Sequence, residues 1–326
     1  MRGVRPGTRL LLGLLMAMSG PLAAATIDLS QLCGAGDCVV ATNTTINSAS
    51  GPLTVGGNFT VNPGVVLQFL VPIQIKVAGN MVVSGTIGAP GDGGAGGIGG
   101  GSGQPGGAGA SAPSVVNGTF DVTGTITLDS NAAAVAEGGA GGSGGLPGFG
   151  NSVGGAGGAG GAAGSLRFNT CSSFNSASGA QIVVNGGPGG VGQAGATGGA
   201  GGSGGTVIIN AKQTILSNGL VSALGGAGGS GGSGTGGNGS DGFITLRSSG
   251  GITVGSGTLV SGLNTPTIVP ASLGISDLAY CSASPITAVP TFSEWTVTLL
   301  ATLLALLAIH RLRRRVGPRS NSRSNH

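Results

Sequence analysis

Eight carboxylates supply most of the reactive side chains between residues 26 and 288: Asp28, Asp37, Asp92, Asp121, Asp129, Glu137, Asp241 and Asp277. They stand singly, whereas glycosidic cleavage normally uses two carboxyl groups acting together. His310 and His326 both lie near the C-terminus, so this stretch has no histidine to serve as a general base. Serine and threonine are abundant but have no identifiable activating partner. Tyr280 is the only Tyr or Trp here, too little for the aromatic platforms of a sugar-cleaving groove. The segment Gly236–Ile244 fits the calcium-binding pattern G-G-x-G-x-D-x-U-x, yet it occurs once, and such sites are built between consecutive copies. The G-x-G-x-x-G matches arise by chance in a chain with 74 glycines, with no strand-to-helix context around them. No catalytic residue, metal site or cofactor is assigned, and the chain reads as a non-enzyme.

The two ends carry clearer information. Arg2, Arg5 and Arg9 precede an apolar run from Leu10 to Met18 and then Ala23-Ala24-Ala25, the pattern of a secretory signal peptide over residues 1–25. At the other end, Val289-Pro290-Thr291-Phe292-Ser293-Glu294-Trp295 leads into an uncharged, leucine-rich stretch and then Arg311, Arg313, Arg314 and Arg315. The 16 residues between Glu294 and Arg311 span roughly 24 Å as a helix, slightly short of a ~30 Å hydrocarbon core. Trp295 suits the headgroup level and the arginines act as a cytoplasmic membrane-stop, which leaves residues 26–288 outside and 316–326 as a disordered cytoplasmic tail.

The order of motif, apolar helix and arginine cluster over residues 289–315 resembles the IPTL-CTERM sorting signal. Pro290, Thr291, Ser293, Glu294 and Trp295 match the family pattern; Val289 and Phe292 replace its Ile and Leu and keep apolar character. The resemblance implies recognition near the Pro-Thr step by an exosortase-like membrane enzyme, with the body anchored as a precursor and then released or re-anchored.

Once the ends are set aside, the positive formal charge of +4 disappears. Lys76, Arg167, Lys212 and Arg247 face eight acids between residues 26 and 288, so the body is near −4 (4 minus 8). Nucleic acid, which needs basic residues grouped on one face, is excluded as a partner. In an exported chain the four cysteines read as disulfides. Cys33 and Cys38 enclose a short flexible loop, and Cys171 and Cys281 remain to pair with each other, although four cysteines allow three connectivities. A C-x4-C pair with distant single cysteines and no nearby histidine is a poor zinc site. Asn-x-Ser/Thr sites occur at Asn43, Asn58, Asn117 and Asn238 and are not specific to glycosylation.

The body alternates short β-branched segments with glycine blocks at about 88–109, 138–164, 186–205 and 225–242, whose starts lie 50, 48 and 39 residues apart. Segments such as Thr206-Val207-Ile208-Ile209 and Phe243-Ile244-Thr245-Leu246 read as strands bounded by turns. A recurring unit of short strands with few periodic helix formers predicts an all-β fold, a right-handed parallel β-helix with glycine-rich inserts, followed by the C-terminal transmembrane helix. An antiparallel β-sandwich with disordered glycine-rich loops is the alternative. Inserts at similar spacing are expected to leave one corner of successive coils. Residues 138–164 hold 15 glycines in 27, in Gly-Gly-Ala and Gly-Gly-Ser triplets that suit a three-residue-per-turn helix related to polyproline II. These inserts are expected to pack side by side on the solenoid flank. The function class is an exported surface protein with a structural, adhesive or matrix role, and the alternative is a β-helix that binds or cleaves cell-surface polysaccharide.

Overall fold

A computed structural model describes residues 25–270, apart from 35 and 90, together with 278, 280 and 281. All of these belong to the compact unit Met1–Cys281. Residues 1–24 of the predicted signal peptide, the sorting motif, the transmembrane helix and the arginine cluster lie outside the described residues. Among the described residues no helix is long and apolar enough to cross a membrane.

The described residues wind through seven three-strand coils. They are Cys38–Val40, Thr44–Ser48 and Leu53–Val55; Phe59–Val61, Val66–Phe69 and Ile73–Val77; Met81–Val83, Thr86–Gly88 and Gly118–Val122; Ile126–Leu128, Ala133–Val135 and Ser165–Thr170. The last three are Phe174–Ser176, Gln181–Val183 and Thr206–Ala211; Ile215–Ser217, Leu220–Ser222 and Phe243–Ser248; Ile252–Val254, Leu259–Val260 and Thr267–Pro270. Ala25–Asp28 precedes them and extends the second sheet, so the three sheets have seven, eight and seven strands in the order in which each coil visits them. Pairing is parallel throughout the described strands, which makes the fold a parallel β-solenoid and overturns the antiparallel alternative.

Alternation along each strand sends apolar side chains inward, where parallel register stacks them into columns. Ile75, Phe120, Phe168, Ile209 and Leu246 form one column, and Phe59, Met81, Ile126, Phe174 and Ile215 another. Phe120 and Phe168 stack with ring centres 5.3 Å apart, and Phe174 tilts against Phe168. At the N-terminal end a single turn, Leu29–Gln31, buries Leu29 and is closed by a capping box between Asp28 and Gln31. One corner carries a ladder of polar side chains: Asp37 accepts from the Asn58 amide N–H, Asn58 from that of Asn80, and Asn80 from that of Thr125.

The inserts all leave between the second and third strands of a coil. That connection is short in the first two coils (49–52 and 70–72) and long in the next four, at 89–117, 136–164, 184–205 and 223–242. Each insert has an outgoing and a returning arm, reversed at a glycine with positive φ: Gly103, Gly150, Gly195 and Gly234. Backbone N–H groups at every third residue of one arm donate to every third carbonyl of the next. Gly91, Gly94, Gly97 and Gly100 thus reach Glu137, Ala140, Ser143 and Leu146, while Gly138, Gly141 and Gly144 reach Asn185, Pro188 and Val191. Returning arms repeat the ladder, as in Gly157 to Thr197 and Gly160 to Ala200. Rungs between the two layers, such as Gly158 to Gly142 and Gly190 to Gly158, knit outgoing to returning arms. A three-residue stride is the period of polyproline II and not of a β-strand. The inserts therefore form a two-layer hydrogen-bonded bundle, and floppy loops are overturned.

The Gly-Gly-X triplet follows from this lattice. A Cβ on Gly139 or Gly142 would overlap the carbonyl of Asp92 or Ala95 in the preceding insert, and one on Gly138 or Gly141 would overlap Gly161 or Gly158 in the returning arm. The third position faces solvent, where Ala140, Ser143 and Leu146 stand exposed. At the two edges of the bundle one neighbour is missing and larger residues return. Asp92, Ala95 and Ile98 occupy the first edge, and Thr235, Asn238 and Asp241 the last. There Asn238 and Asp241 accept from the Gly228 and Gly225 N–H groups, standing in for the carbonyls of a further insert. This edge rule corrects the first insert's expected boundary: its returning arm runs on through Ala110–Val116 without a glycine, and Ala110 and Pro113, aligned with Gly158 and Gly161 of the next insert, sit on the side where no insert lies.

Candidate functional site

Aligning the third-sheet strands by register gives Ile73-Gln-Ile-Lys-Val, Gly118-Thr-Phe-Asp-Val, Leu166-Arg-Phe-Asn-Thr, Val207-Ile-Ile-Asn-Ala and Ile244-Thr-Leu-Arg-Ser. Inward positions are mostly apolar. Outward positions place Gln74, Thr119, Arg167, Ile208 and Thr245 in one row and Lys76, Asp121, Asn169, Asn210 and Arg247 in the next. Three of the body's four cations and one of its acids thus share one face, although 37 to 48 residues separate neighbours in sequence.

A groove of about 620 Å³ lies over this face. Gln74, Asn117, Thr119 and Asp121 line it together with Ser165, Arg167, Asn169, Thr206, Ile208 and Tyr280. The connections leading into Gly118–Val122, Ser165–Thr170, Thr206–Ala211 and Phe243–Ser248 carry the glycine bundle, so Asn117 and Ser165 mark the bundle's base; the Asn117 side chain accepts from the Ser165 N–H at 2.8 Å. On the opposite side the Tyr280 hydroxyl donates to the Asn169 carbonyl at 3.0 Å and is 3.3 Å from that of Val122. Cys281, beside it, is bonded to Cys171, which directly follows the Ser165–Thr170 strand. Burial, aided by the negative charge of Asp121, pushes the Tyr280 phenol above its usual range and keeps it a hydrogen-bond donor.

Asp121 is held rigidly. Gln74 Nε2 donates to its Oδ2 and Asn169 Nδ2 to its Oδ1, each at 2.7 Å, and Asn210 Nδ2 continues the chain to Asn169 Oδ1 at 2.8 Å. Asn169 is buried although its register points outward. Among the described residues, Asp121 is the one carboxylate that lines the groove. The described lining offers amides, hydroxyls, one guanidinium and one carboxylate.

The groove gathers a polar face that no single stretch of the sequence displays. Its members are far apart in sequence, and the available signal was the outward parity of strands aligned at the insert period. Of the predicted site residues, the four cysteines form the bonds Cys33–Cys38 and Cys171–Cys281, each with Cα atoms 5.3 Å apart. The nonapeptide-like segment is the last returning arm; Asp241 accepts from the Gly225 and Leu263 N–H groups through separate oxygens. The four Asn-x-Ser/Thr asparagines share a structural job, since Asn43, Asn58, Asn117 and Asn238 accept from the N–H groups of Val66, Asn80, Ser165 and Gly228. Val289, Pro290, Thr291, Phe292, Ser293, Glu294, Trp295, Arg311, Arg313, Arg314 and Arg315 all lie outside the described residues.

Comparison with known families places an IPTL-CTERM motif at residues 287–314. No curated protein matches the chain, and no solved structure matches it. The motif implies an exported protein that carries a C-terminal sorting signal.

Proposed function

We propose that this is a non-catalytic protein of the bacterial cell surface, held in the inner membrane as a precursor, processed by an exosortase-like enzyme at the IPTL-CTERM motif and displayed as a rigid structural or adhesive body. The motif at 287–314 carries the sorting half of this reading. The body supports the other half. Its glycine inserts are bound arm to arm by backbone hydrogen bonds, a construction that gives a stiff slab with small outward side chains. Catalysis finds no support in the described residues, whose main groove holds one carboxylate and no histidine. Polysaccharide is the surface partner that this groove favours.

Cell fractionation tests the sorting half. Full-length protein and a Pro290→Ala variant are followed by mature mass and location. The unmodified chain is expected to be trimmed and to leave the inner membrane, and the variant to stay there at full mass. If both remain full-length in the inner membrane, the sorting reading fails and a plain anchored solenoid is left.

A further inference from the structure

We propose that the groove between Tyr280 and the base of the glycine bundle binds an uncharged polysaccharide segment lying along the solenoid axis. This deepens the adhesive reading above, and it concerns the body alone, so its failure is separable from failure of sorting.

The lining selects the ligand class. Gln74 and Asn117 supply amides, and Thr119, Ser165, Thr206 and Tyr280 supply hydroxyls, a set that both donates to and accepts from sugar hydroxyls. The Thr119, Ser165 and Thr206 hydroxyls make no hydrogen bond of their own among the described residues, which leaves them for a ligand. One cation, Arg167, stands near one anion, Asp121, so the groove lacks the basic excess that a polyanion requires. Among the described residues, Ile208 is the one apolar side chain whose register faces into it, too little for a lipid tail.

Spacing supplies the second argument. Strands of neighbouring coils lie ~4.8 Å apart, so the rows Asn117–Ser165–Thr206 and Gln74–Thr119–Arg167 repeat a polar group at a distance close to one pyranose unit of an extended glycan. A chain laid across the strands would meet equivalent groups at successive sugars. The volume falls within the roughly 300–1,000 Å³ of ordinary ligand sites. Two walls are fixed before any ligand arrives: Asp121 by its two amide donors, and Tyr280 by the adjacent Cys171–Cys281 bond and its carbonyl acceptors. Fixed walls reduce the ordering that binding demands.

Titration calorimetry on the full-length protein in a sugar-free zwitterionic detergent tests this, with cellohexaose, chitohexaose, maltohexaose and hexagalacturonate as probes. At least one uncharged hexasaccharide is expected to bind, and the acidic one to bind more weakly. The double variant Thr119→Val/Thr206→Val keeps side-chain shape and removes two hydroxyls, which should weaken binding about tenfold. Thr127→Val, on the outward face of the first sheet, serves as the control and should bind as the parent does, with thermal unfolding confirming that every variant is folded. Absence of binding by all three uncharged probes, tighter binding of hexagalacturonate, or undiminished binding by the folded double variant would each overturn the proposal.

Discussion

The solenoid and the glycine bundle share one chain path and one coil-by-coil repeat, yet they cohere by opposite means. In the solenoid, backbone bonds set the register and apolar columns such as Phe120–Phe168 supply the burial that stabilises it. In the bundle, side chains are excluded from the interior, and the arms approach until carbonyls sit where a Cβ would be. A close-packed body can thus be held by side-chain volume or by its absence. Each half should fail for the reason that stabilises the other: the solenoid when volume is removed, the bundle when it is added.

The largest effect is expected from Phe168→Ala. Phe168 is fully buried between Phe120 and Phe174, and truncating such a ring costs about 3–5 kcal/mol. Denaturant unfolding should show the whole body losing stability, because the bundle's arms are anchored in the coils on either side. A loss confined to a few tenths of a kcal/mol would mean that the coils do not depend on the aromatic column.

Adding one methyl group tests the other half. A Cβ on Gly158 would overlap the Ala110 carbonyl, so Gly158→Ala should destabilise by about 1–3 kcal/mol. At the bundle edge a Cβ on Gly96 would lie 3.7 Å from the Ser143 carbonyl oxygen, in ordinary contact. Gly96→Ala should therefore be neutral or stabilising by up to about 1 kcal/mol, through reduced freedom of the unfolded chain. Amide exchange localises the effect: in Gly158→Ala, protection should fall at the Gly142, Gly158 and Gly190 rungs and persist at Phe168. Equal effects at Gly158 and Gly96 would sink the lattice account of the Gly-Gly-X triplet.

Much of this architecture was legible because it is local and periodic. Two-residue alternation in Ile73–Val77 or Phe243–Ser248 marks strands, and the return of glycine blocks at 50, 48 and 39 residues marks coils with inserts at a common corner. Triplet spacing pointed to three-residue helices, and the stride of the ladders agrees. What escaped notice depends on neighbours rather than on period. Ala110–Val116 continues an insert without its glycines because it lies at an edge, and Asn238 and Asp241 read as sequon and calcium pattern when their oxygens finish a ladder. The groove escaped for a related reason. Gln74, Asp121 and Asn169 are 47 and 48 residues apart, and only the register of three coils makes them neighbours.

The smallest expected effect separates interiors from ends. The aromatic column contains no titratable group, and among the described residues the interior of the glycine lattice holds Glu137 alone, at its base, where burial pushes the carboxyl up; both kinds of end, by contrast, use carboxylates. Asp28, which caps the first turn, is held down at about 2 by the hydroxyls of Ser30 and Ser48 and the Ser30 N–H. Asp241, at the last edge of the bundle, is lowered by the Gly225 and Leu263 N–H groups. For a carboxylate whose folded value is depressed, the added stability is present above the unfolded value and is lost as pH falls toward the folded one. For Asp28 that window runs from 3.8 down to about 2. Acidification through it should loosen the ends first. After correction for intrinsic exchange, protection should drop at the Ser30, Gly225 and Leu263 amides while Gly142 and Gly158 retain theirs. Asp241→Asn keeps an acceptor oxygen without the charge, so it should remove the pH response at Gly225 and leave that at Ser30 intact. If acid instead releases the interior rungs along with the ends, the bundle owes its cohesion to charge and not to its backbone lattice.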